Sequence, residues 1–337
     1  MSAAPACLSH SRVTITPALR AAVDRLDRRS RHQAAYHFGW ITAGGAPTSA
    51  DAGKAVRPAL ALLSAEAVGA APEVALPGAV AVELVHNFSL VHDDLMDGDE
   101  ERRHRRTVWK LWGPSSAILT GDAMLALAQE VLLDTGLPTA APAARLLART
   151  TRHLIRGQVQ DLAFEQRSHV TVEECVDMAA GKTGALLSAS AAIGAVLAGA
   201  PEAAVEALAL FGDQVGVAFQ LVDDVLGIWG DPAVTGKPVH SDLRSRKKTL
   251  PVSHALNQEG PLGDELAAWL TARGRPDEEE LRRVARLVED AGGRRWALAE
   301  AARRMALAEE ALRGVELEAG ARDELLALGR FVVDREV

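Results

Sequence analysis

Two apolar segments with helical periodicity each end in a cluster of aspartates, and this arrangement limits how the chain can fold. The first ends with VHDDLMD at Asp97, and the second ends with FQLVDDVLGIWGD at Asp231. Because the C-terminus of a helix carries partial negative charge, aspartates crowded there repel one another and the helix dipole. Both segments are therefore expected to hold bound positive charge where they end.

The first cluster has a spacing that suits a hard cation. Asp93, Asp94 and Asp97 stand at positions i, i+1 and i+4, so one helix presents three neighbouring carboxylates. Mg²⁺ prefers oxygen ligands, usually keeps several waters and bridges to phosphate oxygens. Two facing clusters of this kind indicate diphosphate chemistry.

The composition favours helices over strands. Among 337 residues, 48% are hydrophobic but only 4% are aromatic, and tyrosine occurs once. Alanine, leucine, glutamate and arginine are abundant, whereas runs of β-branched residues are scarce. With no long linker in the sequence, we expect an all-α protein. The predicted architecture is one large single-domain helix bundle over residues 1–337, with a flexible N-terminal segment at 1–14.

Hydrophobic periodicity and the positions of glycine and proline give approximate helix limits. The predicted helices are 17–40, one beginning at 54, 73–94, 116–133, 142–165, 172–197, 202–229, 250–257, 277–290, 295–313 and 321–331. No hairpin signal interrupts them, and residues 230–248 are predicted to form a polar, basic loop.

Charge and cysteine content exclude several classes of protein. A formal net charge of -8 argues against a general nucleic-acid-binding protein, because such proteins carry an excess of Lys and Arg. Cys7 and Cys175 are too few for a disulfide framework, which fits a reducing cytoplasm. Charged residues interrupt the apolar stretches, so we expect no membrane span.

Six motifs occur in a fixed order along the chain. They are GKAVRP from Gly53, ELVHNFSLVHDDLMDGDEERRHRRTVW from Glu83, GDAMLALA from Gly121, GQVQDLAFE from Gly157, GKTGAL from Gly181 and GVAFQLVDDVLGIWGDPAVTGKPVHSDLRSRKKTLPV from Gly216. Together they resemble the trans-isoprenyl diphosphate synthases, also called polyprenyl synthetases, and most of all the bacterial geranylgeranyl diphosphate synthases. The resemblance extends from about Ala21 to the end of the chain. It implies the isoprenoid synthase helix bundle with a central apolar cavity.

The resemblance assigns roles to residues at matching positions. Three Mg²⁺ ions would be held around an allylic diphosphate (dimethylallyl, geranyl or farnesyl) by Asp93, Asp94, Asp97, Asp223 and Asp224. Direct contacts with that diphosphate would come from Arg102, Lys182, Thr183, Gln220 and Lys237, with Lys182 and Lys237 also counted as catalytic. Isopentenyl diphosphate would be held by Lys54, Arg57, His86 and Arg103. Lys247, within a basic flap that includes Arg244, Arg246 and Lys248, would close over the diphosphates.

Some of these assignments have simpler alternatives. An isolated basic run such as Arg102 and Arg103 is usually a solvated turn, although it here follows a metal-binding cluster directly. An isolated His86 is more often a core histidine than a ligand. Gln158, Asp161 and Glu165 share one helical face and are expected to support the site without touching the substrate.

One position departs from the family pattern. The second motif, DDVLG, has Gly227 where the family usually has a fifth-position aspartate. Asp231 follows four residues later. The departure leaves open a terpene cyclase on the same scaffold, or a non-catalytic regulatory subunit. The retained aspartates and the residues assigned to isopentenyl diphosphate favour an elongating prenyltransferase.

Two residues before the first aspartate cluster bear on product length. Phe88 lies five positions before Asp93, or roughly 7 Å deeper along a helix, where it would meet a growing prenyl tail. Its small neighbour is Ser89. Within the family, this pair of residues resembles the geranylgeranyl diphosphate synthases. The alternative products are farnesyl diphosphate and longer polyprenyl diphosphates. Phe88 could instead be an ordinary core residue with no effect on product length. The resemblance also implies a homodimer.

Overall fold

The computed structural model describes residues 5–50, 53, 55–231 and 239–333, and within these ranges the chain is almost entirely helical. The helices are α1 (Ala6–Val23), α2 (Arg28–His37), α3 (Val56–Ala67), α4 (Leu76–Met96), α5 (Val108–Trp112), α6 (Pro114–Leu133), α7 (Ala140–Glu165), α8 (Val172–Ala179), α9 (Ala185–Leu197), α10 (Glu202–Trp229), α11 (Ser241–Arg244), α12 (Leu250–Leu256), α13 (Pro261–Thr271), α14 (Glu278–Asp290), α15 (Gly293–Arg313) and α16 (Ala319–Val333). A 3-10 turn, Pro72–Ala75, precedes α4, and a π-helical turn, Ala180–Gly184, joins α8 to α9. The predicted all-α class is confirmed.

Three helices, α4, α9 and α10, form the centre of the bundle. Helix α6 packs on α4, α3 packs on α9, and α15 packs on α10. Small residues permit close crossings: a Cβ added to Gly194 would lie 2.9 Å from the backbone nitrogen of Ala65, and one added to Gly212 would lie 2.8 Å from the carbonyl carbon of Leu187. Helix α9 therefore meets both α3 and α10 in close backbone contact.

The N-terminal region differs from its prediction. Residues 6–14, expected to be flexible, belong to helix α1. The predicted helix 17–40 is two helices, because the side chain of Asp27 accepts hydrogen bonds from the backbone N–H groups of Arg29 and Ser30 and begins a new helix there. The short helices α5, α11 and α13 were also missed.

A small hairpin, absent from the sequence prediction, follows α4. Its strands are β1 (Glu101–Arg102) and β2 (Arg105–Arg106), joined by Arg103 and His104. Both linking residues have positive φ, at 52° and 59°, a conformation that bulky side chains seldom adopt. Since glycine or asparagine usually marks such a turn, the charged sequence gave no hairpin signal.

Charged residues interrupt the apolar stretches as expected, yet in the described part of the chain four helical segments are long and apolar enough to cross a membrane by length and composition alone. They are Pro72–Met96, Pro114–Leu133, Val172–Leu197 and Glu202–Trp229. In Val172–Leu197, 78% of the apolar window is buried within the protein, whereas in Pro114–Leu133 the share is 39%. Val172–Leu197 therefore belongs to the core, whereas Pro114–Leu133 keeps an exposed apolar face.

Candidate active site

The end of α4 presents its three aspartates in different environments. Asp94 is 1% exposed, and its Oδ1 accepts a hydrogen bond from Nε of Arg102 at 2.6 Å. Its Oδ2 is buried with no hydrogen-bond partner among the described residues. Burial raises the pKa of Asp94 to about 6 although Arg102 opposes the shift. This carboxylate is tied to the hairpin by one oxygen and retains one oxygen for a ligand.

The other two aspartates of α4 lie closer to solvent. Asp93 is partly buried, and burial raises its pKa while the charge of Lys182 opposes the rise. Asp97 follows the last helical residue, and its Oδ2 lies 3.4 Å from Nζ of Lys247. Both carboxylates therefore stand next to a lysine and remain accessible to a ligand.

The second cluster lies near the end of α10, where Asp224 is fully engaged. Nε2 of Gln220 donates to its Oδ1 at 2.7 Å, and the backbone N–H of Leu250 donates to its Oδ2 at 2.9 Å. The pKa of Asp224 is raised to about 8, first by burial and then by the charge of Asp242. Asp223, the preceding residue, is only partly buried. Asp231 lies beyond the helix, which ends at Trp229, and is exposed.

The predicted diphosphate contacts Thr183 and Gln220 bind each other. Oγ1 of Thr183 donates to Oε1 of Gln220 at 2.7 Å, so the hydrogen bonds run from Thr183 through Gln220 to Asp224. This chain fixes the orientation of the Asp224 carboxylate. In this structure, both residues act on the site through Asp224.

Lys182 lies in the π-helical turn, a feature often found at functional sites. Its Nζ is 2.5 Å from Oδ2 of Asp161 on α7. A Cβ at Gly157 would lie 2.8 Å from Cα of Lys182, so α7 reaches the turn only because position 157 has no side chain. Asp161, expected to be a supporting residue, is the ionic partner of Lys182.

Lys247 connects the two aspartate clusters. It contacts Asp97 of the first cluster, and the charges of Asp97, Asp161 and Asp242 together raise its pKa although burial opposes them. Asp242 in turn acts on Asp224 of the second cluster. The two clusters therefore face each other across one partly buried ammonium group.

The other three basic residues of the predicted flap contact other parts of the chain, and the flap itself stays a prediction. Nζ of Lys248 donates to the carbonyl oxygen of Phe164 at 2.9 Å. Arg244 pairs with Glu278 at 2.6 Å, and Arg246 donates to the carbonyl oxygen of Trp269.

A cavity of about 340 Å³ adjoins the first aspartate cluster. Its lining residues are Gly53, Ala55, Val56, Arg57, Glu83, His86, Leu90, Arg102, Arg103, Leu187, Phe219, Phe331 and Val332. Four predicted substrate-binding residues, Arg57, His86, Arg102 and Arg103, thus meet in one concave site. The predicted Lys54 and Lys237 lie outside the described residues.

The electrostatics of this cavity favour an anion. Arg57 is partly buried, and burial lowers its pKa to about 10, while the charge of Glu83 opposes the shift. Burial, followed by the charges of Arg57 and Arg103, lowers the pKa of His86 well below its usual value, so this imidazole is neutral at pH 7. Arg102 lines the same cavity. Three guanidinium groups and only one carboxylate line the cavity, and this excess of positive charge favours an anionic ligand.

Several residues of the site were not singled out from the sequence. Glu83 accepts a hydrogen bond from Nδ2 of Asn87 at 2.9 Å and faces Arg57. The i, i+4 spacing of Glu83 and Asn87 is a sequence signal that could have indicated their hydrogen bond. His37 has a pKa lowered to about 3 by burial and nearby arginines, and its Nε2 has no partner among the described residues. Asp242 had no sequence signal, because its approach to α10 depends on the tertiary fold.

The donor set fits Mg²⁺ that is shared with a diphosphate. Among the described residues, no three His, Cys, Asp or Glu side chains converge closely enough to form a metal site by themselves. Such enclosure is not required, because Mg²⁺ at phosphate sites takes one or two carboxylates together with water and phosphate oxygens. All candidate ligands are oxygens, and the unpartnered Oδ2 of Asp94 is one of them.

The two residues predicted to set product length lie on different sides of α4. Phe88 is 5% exposed, and its ring centroid lies 4.9 Å from that of His92 in an edge-on contact. His92 approaches the carbonyl oxygen of Ile118 at 3.0 Å, so Phe88 lies toward α6. Ser89 is 8% exposed and donates to the carbonyl oxygen of His86 at 2.8 Å.

Comparison with known proteins gives the same family as the motifs. The polyprenyl synthetase family matches residues 40–288. A (2E,6E)-farnesyl diphosphate synthase of Mycobacterium tuberculosis (strain ATCC 25618 / H37Rv) is 54% identical over 325 residues, covering 96% of this chain and 90% of that protein. A geranylgeranyl diphosphate synthase of the same strain is 42% identical over 334 residues, covering 98% of this chain and 94% of that protein.

Solved structures agree with this assignment. The crystal structure of a polyprenyl synthetase from Streptomyces coelicolor A3(2) superposes with a TM-score of 0.94 at 56% identity, covering 97% of this chain and 99% of that one. A geranylgeranyl pyrophosphate synthetase from Pyrococcus horikoshii Ot3 superposes with a TM-score of 0.87 at 36% identity, covering 98% of each chain. The chain belongs to the polyprenyl synthetase family and is a trans-prenyltransferase with the all-α isoprenoid synthase fold.

Proposed function

We propose that this enzyme condenses isopentenyl diphosphate with an allylic diphosphate head to tail and that its main product is farnesyl diphosphate. The main support for this reaction is the position of Arg102, which lines the basic cavity and also pairs with Asp94 of the first aspartate cluster. One guanidinium thus adjoins two anion sites, as a reaction between two diphosphate substrates requires.

The product assignment differs from the expectation of geranylgeranyl diphosphate. The relative at 54% identity is a farnesyl diphosphate synthase, whereas the geranylgeranyl diphosphate synthase of the same organism is 42% identical. These observations favour the farnesyl alternative.

The chain's own groups support a stepwise ionisation and condensation. Asp93, Asp97 and Asp223 present accessible carboxylates from the two helix ends, where they would bind up to three Mg²⁺. When bound, Mg²⁺ stabilises the negative charge that develops on the departing allylic diphosphate. Lys182 and Lys247 add fixed positive charge beside the same carboxylates.

The cavity would hold the second substrate and keep the reaction dry. Arg57 and Arg103 bind the diphosphate of isopentenyl diphosphate through their guanidinium donors. Leu90, Leu187 and Phe219 line the same cavity and exclude water from the allylic cation. The double bond of isopentenyl diphosphate attacks the cation, and a proton passes to the released diphosphate.

Two other functions are less well supported. A terpene cyclase needs no second diphosphate site, yet Arg57, His86 and Arg103 line one cavity. A non-catalytic subunit would have no need for the accessible Asp93 and Asp223.

The test is product analysis with Mg²⁺ and dimethylallyl, geranyl or farnesyl diphosphate, each with and without isopentenyl diphosphate. After dephosphorylation, mass spectrometry should find a fifteen-carbon alcohol from the first two primers only when isopentenyl diphosphate is present, and no product from farnesyl diphosphate. A twenty-carbon alcohol would restore geranylgeranyl diphosphate as the product. Products that form without isopentenyl diphosphate would indicate a cyclase. Asp93→Asn serves as the inactive control.

We further propose that the enzyme works as a cytoplasmic homodimer. Helix α6 exposes Leu119 at 64% and Leu133 at 54%, while α7 exposes Ile155 at 44% and Val159 at 60%. Exposed apolar side chains on adjacent helices fit association with a second copy. Light scattering should give twice the chain mass, and Leu119→Glu with Val159→Glu should give the monomer mass.

A further inference from the structure

A second cavity, called here the N-terminal cavity, lies between α1, α2 and the start of α6. Its volume is about 850 Å³, and its wall includes Arg20 of α1, Arg28, Arg29 and Arg31 of α2, and Trp112 of α5. It shares no lining residue with the basic cavity of the candidate active site. Its volume is typical of a site for a small molecule. The N-terminal cavity is therefore a separate candidate binding site.

The four arginines of this wall have no acidic partner. Among the described residues none of them forms an ion pair, and Asp24 is the one acidic side chain that lines the cavity. The neighbouring Arg25, by contrast, pairs with Glu130 and Asp134 of α6, each at 2.8 Å. Four arginines and one aspartate leave a formal excess of three positive charges in the wall. Such an excess raises the local potential and favours a ligand with several negative charges.

Gln33 provides a buried donor to the same cavity. It is 9% exposed, and its Oε1 accepts a hydrogen bond from Oγ1 of Thr120 at 2.6 Å, which fixes the orientation of the amide. Its Nε2 has no hydrogen-bond partner among the described residues but stays accessible, and the side chain lines the N-terminal cavity. Because a buried amide without a partner is unfavourable, this group points to a ligand that accepts hydrogen bonds.

Two tryptophans form an aromatic part of the wall. The ring of Trp40 stacks on Phe38 with centroids 4.7 Å apart, and Cζ of Arg20 lies 4.5 Å from the Trp40 centroid. The ring of Trp112 meets that of Tyr36 edge-on at 5.1 Å. These contacts hold both rings in place without a ligand. Guanidinium groups suit phosphate oxygens, and an aromatic wall suits a planar ring, so the ligand should carry both groups.

We propose that the N-terminal cavity is a second anion site and that it binds a ligand of the nucleoside triphosphate class. The arginines pair with oxygens of the phosphate chain, and Nε2 of Gln33 donates to one more oxygen. The base lies against the wall formed by Trp40 and Trp112. This inference goes beyond the proposed reaction and does not depend on which prenyl diphosphate the enzyme makes.

The experiment measures the binding of ATP and of inorganic tripolyphosphate by titration calorimetry, with EDTA present to remove Mg²⁺. It uses the enzyme in the oligomeric state that it adopts in solution, because Ser116 of the cavity wall lies near Leu119 of the proposed dimer face. The double variant Arg28→Gln with Arg31→Gln should raise the dissociation constant of ATP by about tenfold or more, since two charged donors are lost.

The two probes distinguish the sources of the phosphate chain. ATP should bind more tightly than tripolyphosphate, because its base adds contact with the tryptophans. Equal affinities, both weakened by the Arg28→Gln and Arg31→Gln double variant, would overturn the nucleoside part and identify a linear polyphosphate as the ligand. Failure of the wild type to bind either probe at millimolar concentration would overturn the inference as a whole.

Two control variants locate the bound ATP. Arg282→Gln with Arg286→Gln removes the same charge from exposed positions of α14 and should leave the dissociation constant within about twofold of the wild type, because exposed distant charges are screened. Arg57→Gln alters the active-site cavity and should also leave ATP binding unchanged. If Arg57→Gln abolishes binding while Arg28→Gln with Arg31→Gln does not, ATP occupies the active site and the inference is wrong. Melting temperatures verify that each variant is folded.

Discussion

Nε of Arg102 donates to Oδ1 of the buried Asp94 at 2.6 Å, and the same guanidinium lines the basic cavity. Asp94 therefore fixes the residue that lies between the two proposed substrate sites, while its neighbour Asp93 faces Lys182. Adjacent aspartates of one motif have different structural partners, and their substitutions should have different kinetic consequences.

Asp93→Asn should lower kcat by about three orders of magnitude or more, because it removes a ligand for the metal that stabilises the leaving group. Asp94→Asn should lower kcat less but raise KM for both substrates, since Arg102 would lose its anchor. Steady-state kinetics at saturating Mg²⁺ measure both effects. Identical kinetic profiles for the two variants would contradict this division of roles.

Arg57 and Lys182 should separate the two substrates. Arg57→Lys keeps the charge opposite Glu83 but loses the guanidinium fork, so KM for isopentenyl diphosphate should rise by about tenfold while KM for the allylic substrate changes little. Lys182→Gln should do the reverse. Equal changes in both KM values for either variant would show that the two sites are wrongly assigned.

Stability without metal should fall as the pH rises. The pKa of Asp224 is raised from its ordinary 3.8 to about 8, so the folded protein retains a proton that the unfolded chain loses. Its contribution to stability is complete below about pH 4 and is lost as the pH rises through about 8. Asp224→Asn should therefore flatten the decline in the free energy of unfolding, measured by urea titration at several pH values. Asp264→Asn should leave the slope as in the wild type.

Hydrophobic periodicity predicted the order of the helices, but it did not predict the contacts between side chains in the site. Helix α10 has the limits that its apolar pattern predicted, because glycine and proline bound a long amphipathic run. The hairpin at Arg103 was missed because its turn uses left-handed conformations that arginine rarely adopts. Contacts such as Lys247 with Asp97 join residues 150 positions apart and have no local signature.

Charge repulsion at the helix ends predicted that the aspartates belong to the site. It did not predict that the aspartates of one motif differ in burial and in hydrogen bonding. Burial and hydrogen bonding distinguish Asp94 from Asp93 and Asp224 from Asp223, and both depend on neighbouring elements.

Gly157 should be essential for the position of Lys182. A Cβ there would lie 2.8 Å from Cα of Lys182, so Gly157→Ala should push the π-helical turn away from α7 and lower the free energy of unfolding by about 2 kcal/mol or more. Gly320→Ala is the control, because that helical glycine has nothing within 4 Å and alanine should be neutral or stabilising. Thermal unfolding measures both, and unchanged stability of Gly157→Ala would refute the close contact.

Phe88 should limit the length of the product. Phe88→Ala removes most of a ring about 7 Å along α4 from Asp93, so the prenyl tail gains space and products of twenty carbons or more should appear. The loss of core packing should cost about 3 kcal/mol or less, because the tail occupies part of the vacated volume. Product length is read by mass spectrometry at a fixed ratio of geranyl to isopentenyl diphosphate.

Phe38→Ala is the matched control for this change. Phe38 is 3% exposed and belongs to the same buried cluster as Phe88, but it stacks on Trp40 away from the aspartates. It should cost comparable stability without changing the product. Ser89→Phe should instead shorten the product or abolish condensation, because a ring one residue nearer Asp93 would fill the space below the allylic site. If Phe88→Ala remains active and makes only the wild-type product, the limit to chain length lies elsewhere, for example deeper on α4 at Val85 or Ala81.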